Sequence, residues 1–140
     1  MLAIYQALTP YAIYLALLVR VWTGGNLIVH SRPKFGKGAA ASVNWMKSMG
    51  VPGWTATAAG YLEILGGILL IVGLIVPIVA VLFIIEFAAI IVMKKTKMHA
   101  EYISTSGKPT YEIDALYLIL SIVILVLGSG VLSIDGAIGF

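Results

Sequence analysis

Three ionisable residues stand inside long apolar runs: Arg20, Glu63 and Glu86. A full charge near the centre of a membrane-crossing helix costs about 3 kcal/mol even on lenient scales. Chains keep such groups when they pair, face a polar cavity or carry a function. An arginine–carboxylate pair in a low dielectric is short, and bidentate where geometry allows. One guanidinium cannot neutralise two carboxylates, so one of Glu63 and Glu86 is expected to hold a proton at neutral pH. Two readings stay open. In one, the charges make a buried ion pair that sets helix register. In the other, they line a polar pocket for a quinone headgroup, an oxyanion or protons.

The elements that must position these groups are apolar helices. Hydrophobic residues make up 61% of the 140-residue chain, and a helix needs about 20 residues to cross the hydrocarbon. Four spans are expected, at residues 8–29, 54–76, 78–93 and 115–132, in a single all-α bundle over residues 1–140. Residues 54 to 93 would reach about 60 Å as one helix, twice the hydrocarbon thickness, so Pro77 is expected to mark a tight turn between two antiparallel helices. Within residues 31–53, Val43, Met46 and Met49 recur at helical spacing beside Trp45 and Trp54, which predicts a short interfacial helix. The first run is a full span with no basic segment before it, so it reads as a retained helix and not a removed signal peptide.

Counting from the helix ends puts the three charges at one depth. Arg20 is ten residues before His30 and Glu63 ten after Gly53, each about 15 Å in at helical rise; Glu86, eight before Lys94, is about 12 Å in. Ala56, Ala59, Gly60, Gly66, Gly67 and Gly73, with Gly24 and Gly25 on the first span, are small enough for close helix approach. That packing would bring Arg20 and Glu63 into contact.

Charge outside the spans speaks to topology. Eight of the nine Lys and Arg residues fall in two loops: Arg32, Lys34, Lys37 and Lys47, then Lys94, Lys95, Lys97 and Lys108. Both loops fall on one side of four spans, which predicts a multi-pass cell-membrane protein with those loops cytoplasmic and both termini outside. The basic pI of about 9.2 reflects these two loops, whose charge suits topology setting beside anionic lipid, and a nucleic-acid partner is not expected. The absence of cysteine excludes disulfides, thiolate-held metals, iron–sulfur clusters and thiol catalysis. His30 and His99 lie at or beyond helix ends, poorly placed for bis-imidazole haem, and no metal site is expected. His30, Lys34 and Asp114 are interfacial candidates; Glu112 and Asp114 also suit a helix N-terminus, where negative charge complements the dipole.

These features together resemble the DoxX family of small four-helix membrane proteins. Arg20, Gly24 and the run His30-Ser31-Arg32-Pro33-Lys34 are similar to its first-span pattern of Arg, Gly and His-Gly-x-x-Lys, with Ser31 in place of Gly. Met49-Gly50-Val51-Pro52 is similar to its Leu-Gly-x-Pro entry. Glu63-Ile64-Leu65-Gly66-Gly67-Ile68-Leu69-Leu70 resembles its Glu-x-x-Gly-Gly-x-Leu-Leu core. Gly128 to Asp135 resembles its Gly-Pro-Gly-x-x-Ser-Leu-Asp ending, with Ser129 in place of Pro. Glu86 matches no family position. The resemblance implies association with membrane redox systems, such as the archaeal terminal quinol oxidases and thiosulfate:quinone oxidoreductase. The expectation is therefore a non-catalytic or quinone-facing subunit of a respiratory or sulfur-oxidising complex. It would have no cofactor of its own beyond a quinone at an interface, and its partners would be lipid and other subunits. The alternative is a small proton-coupled transporter that uses Arg20, Glu63 and Glu86. A third reading is a membrane enzyme that binds an anionic thiol cofactor beside the basic loops.

Overall fold

The computed structural model describes residues 9–104 and 107–140. It is all-α. A 3-10 turn at Thr9–Tyr11 leads into α1 (Ala12–Ser31), followed by α2 (Ala39–Ser48), α3 (Trp54–Val72), α4 (Val76–Met98), α5 (Glu112–Leu127) and α6 (Ile134–Ile138). Among the described residues there is no strand, only an isolated bridge between Glu101 and Thr110 in the loop from α4 to α5.

The four expected apolar runs are helical, with ends that differ from the expected ones. The turn between α3 and α4 lies at Gly73–Ile75, not at Pro77. Gly73 and Ile75 both take left-handed backbone conformations. Pro77 sits in the first turn of α4, where its missing N–H is no loss. The fourth helix runs on to Met98 because Lys95 and Lys97 occupy its last turn, where cations complement the helix dipole. The last long helix starts at Glu112 and stops at Leu127, before Gly128 at φ +69°. The expected start of the first span, residue 8, lies outside the described residues. The short helix foreseen after the first span is present as α2, with Met46 and Met49 buried against Ala56.

Two helix pairings dominate, α1 on α3 and α4 on α5. The first is set by Gly24 and Gly67: a Cβ on Gly24 would stand 2.4 Å from the Gly67 carbonyl oxygen, so only paired glycines allow this approach. Phe83, Phe87, Leu70, Val79 and Leu27 fill the centre. Among the described residues two helices, α3 and α4, are long and apolar enough to cross a membrane, and only 33% of each apolar stretch is buried. Leu18, Ile85 and Val126 stand among many exposed apolar side chains. Soluble proteins rarely expose so much contiguous apolar surface, and lipid contact suits it.

Candidate functional site

Arg20 and Glu63 do not meet. The Gly24–Gly67 contact sets the antiparallel register, so Arg20 lies level with Ile71 and Glu63 with Ile28. Eight residues of register separate them, about 12 Å at helical rise. Counting inward from His30 and Gly53 had treated those residues as level, and the close packing shows they are not. The side chains also diverge. Helical Cα–Cβ bonds tilt toward the N-terminus, and the two helices run in opposite directions. Arg20 therefore reaches toward the α3–α4 turn and Glu63 toward the lysine-rich end.

Arg20 closes the end away from the lysines. It is fully enclosed and donates from Nη1 to the Leu70 carbonyl at 3.0 Å and from Nη2 to the Leu132 carbonyl at 2.7 Å. Its compensating charge is Asp135, a residue to which the sequence reading assigned no role. Asp135 accepts from the backbone N–H of Ile75 at 2.7 Å and of Val76 at 2.8 Å, capping α4. Its own N–H donates to Gly73 at 2.9 Å. Ser133 caps α6 by accepting from Gly136 N–H. This end is a clasp in which the C-terminal segment closes on the α3–α4 turn and on Arg20, whose Nε is enclosed without a hydrogen-bond partner.

The other end holds a cavity of about 380 Å³. Every helix except α6 contributes to its walls: His30 from α1, Lys34 from the turn after it, Ser42, Trp45 and Met46 from α2, Ala56 and Glu63 from α3, Phe87, Ile90 and Lys94 from α4, and Asp114 from α5. Lys34 Nζ lies 2.8 Å from Glu63 Oε2, and His30 Nδ1 lies 3.6 Å from Oε1. The lysine contact is a close ion pair without hydrogen-bond geometry, and neither Glu63 oxygen has a hydrogen-bond partner. Lys94 Nζ makes a second pair with Asp114 at 2.5 Å and donates to the Thr110 carbonyl at 3.2 Å. Asp114 thus serves as an ion-pair partner as well as a first-turn acid. His30 packs edge-on against Tyr117, which stacks on Phe87, and this ring column backs the polar edge. Glu86 does not line the cavity. Its carboxyl oxygens are enclosed without a hydrogen-bond partner, and it feels the charges of Glu63 and Lys34.

Of the expected trio, Glu63 and Glu86 share one neighbourhood, and Arg20 belongs to another. Two residues named only as interfacial candidates, His30 and Lys34, take the place expected of Arg20. Their pairing was hinted at by spacing: His30 and Lys34 are four apart, and the chain turns back onto Gly60. A Cβ there would collide with Phe35 at 2.8 Å. Lys94 and Phe87 had no sequence signal that set them apart from an ordinary helix end or core, and Trp45 was marked only as an interfacial residue.

The DoxX family model matches residues 15–96, more than half of the chain. The chain belongs to the DoxX family. The matched stretch contains Arg20, His30, Lys34, Glu63 and Glu86, while Asp114 and Asp135 lie beyond it. The chain is also similar to a protein of Bacillus subtilis (strain 168) named "Putative oxidoreductase CatD". The two are 34% identical over 119 residues, which cover 85% of this chain and 83% of that protein. No solved structure matches the chain. DoxX membership, this relative and the apolar helices support a membrane protein with a redox-associated role. Within that role, the Lys34–Glu63 cavity is the place where the DoxX chain combines apolar walls with charge.

Proposed function

We propose that this DoxX chain is a multi-pass subunit of a membrane redox complex whose cavity holds a quinone headgroup. The observation that carries the reading is the cavity itself. Its walls of Trp45, Met46, Phe87 and Ile90 suit a flat apolar ring, and its edge offers Lys34, Lys94 and His30 as hydrogen-bond partners for ring oxygens. A bound quinone would supply two-electron chemistry. The chain's own residues would hold and orient the ring and keep water from it. Having no cysteine, the chain would depend on a partner subunit for iron–sulfur or thiol redox centres.

In this reading α1, α3, α4 and α5 cross the bilayer. At 1.5 Å per residue they measure about 30, 29, 35 and 24 Å, against about 30 Å of hydrocarbon. The lysine-rich end, with the cavity, faces the cytoplasm of the cell membrane, and both termini face outward.

Solubilisation of native membranes in mild detergent tests this. The chain should migrate well above 14.9 kDa plus detergent, with redox subunits and extractable quinone. A lone monomer or homodimer without quinone would refute the subunit reading. A proton-coupled transporter is the second reading, favoured by Glu86, a partnerless enclosed carboxyl beside a charged pair. Proton-gradient-driven flux in liposomes containing only this chain would support it instead.

A further inference from the structure

We infer that the cavity selects an uncharged ligand with both hydrogen-bond accepting and donating oxygens, and rejects anions of the same shape. The inference rests on the quinone-binding reading and narrows it. Each lysine in the wall already has a carboxylate: Lys34 has Glu63 at 2.8 Å, and Lys94 has Asp114 at 2.5 Å. Neither cation is spare. The remaining titratable groups near these pairs are His30, 3.6 Å from Glu63, Tyr117, edge-on to His30, and Glu86, an enclosed carboxyl behind Glu63 and Lys34. An anion entering here would find both lysine charges already offset, and could gain a counter-charge of its own only by separating a pair in a low dielectric and leaving a carboxylate buried and alone. It would also meet the carboxylates of Glu63 and Asp114. A cation would have to displace a lysine from its carboxylate.

A neutral ring meets no such obstacle. A lysine ammonium carries three donors. Lys94 uses two, on Asp114 and the Thr110 carbonyl, and Lys34 faces a single carboxylate. Each can therefore donate to a carbonyl-type oxygen without breaking its pair. The reduced form of such a ligand carries hydroxyls in place of carbonyls, and the Glu63 oxygens, which lack hydrogen-bond partners, can accept from one. The two ion pairs thus give one cavity donors for the oxidised form and an acceptor for the reduced form.

The test compares three probes on the purified full-length chain: 1,4-naphthoquinone, its 2-sulfonamide and its 2-sulfonate. The last two are close in size and differ in charge. Binding is read by equilibrium dialysis against protein-free micelles. The quinone and the sulfonamide should bind alike, and the sulfonate at least about tenfold more weakly, because like charges are forced together. In Glu63→Gln, which releases Lys34, the sulfonate penalty should shrink. Asp114→Asn, which releases Lys94, is the second variant should the first not fold. Equal or tighter sulfonate binding by the wild type would overturn the selection for neutrality and leave a quinone site standing. A penalty unchanged in both variants would overturn the ion pairs as its cause. Failure of all three probes to bind would remove the quinone reading, and this inference with it.

Discussion

Lys34 and Glu63 should behave as one unit in folding, with an asymmetry that the structure dictates. Glu63 is entirely enclosed, whereas the Lys34 side chain keeps 16% of its surface exposed. Lys34→Met strands the Glu63 carboxylate in an enclosed site, with no hydrogen bond to replace the ammonium. Removing one partner of a buried pair costs about 3–5 kcal/mol. Glu63→Leu leaves a lysine at the cavity edge, whose stem can carry its ammonium toward the headgroup region, so its loss should fall below that range. Lys34→Met/Glu63→Leu replaces the pair with apolar groups and should be more stable than Lys34→Met alone, since apolar replacement of a whole buried pair is often near neutral. The assay is reversible denaturation of the four proteins in one mixed micelle, read by circular dichroism. Strictly additive losses would refute the coupling, and a larger loss for Glu63→Leu than for Lys34→Met would refute the burial argument. The same cycle on Arg20 and Glu63 should be additive, because about 12 Å of helical rise separates their levels.

Asp135→Ala should lower stability by about 1–2 kcal/mol, the upper part of the N-cap range, since it orphans the N–H groups of Ile75 and Val76; thermal melting no different from wild type would refute the cap. Gly24→Ala should cost about 1–3 kcal/mol by forcing α1 off the Gly67 carbonyl. Gly25→Ala, with nothing within 4 Å of its added methyl, should be neutral or stabilising by up to about 1 kcal/mol; equal losses at both positions would contradict the packing register. The chain has no native cysteine, so single cysteines report topology cleanly. Ala137→Cys should react with impermeant thiol reagents in intact cells and Lys37→Cys should not, and the reverse would invert the proposed orientation.

Much of the fold was legible because lipid imposes simple rules on sequence. Apolar runs of crossing length must be helical to satisfy their backbone, and Gly, Pro and lysine clusters punctuate them. The helix bounded by Ala39 and Ser48 could be foreseen from Val43, Met46 and Met49 because periodicity is local. Family membership was likewise written in local motifs around Arg20, His30 and Glu63. Helix ends were less legible. Pro77 signals a boundary, but a proline is as much at home inside the first turn of α4 as in the loop before it.

The partners of the charged groups were decided by tertiary structure. Sequence alone determined that Arg20, Glu63 and Glu86 stand in apolar helices and need compensation. It could not determine register, since depth counted along each helix assumes that unconnected helix ends lie level. One close contact, Gly24 on Gly67, offset α1 from α3, and the tilt of Cβ along antiparallel helices then sent Arg20 and Glu63 to opposite ends. Arg20 found backbone carbonyls and the charge of Asp135, some 115 residues away in the chain. Glu63 found Lys34, and the cavity beside them formed where five helices converge. Contacts of that kind depend on how helices pack in three dimensions, and no local pattern of residues encodes them.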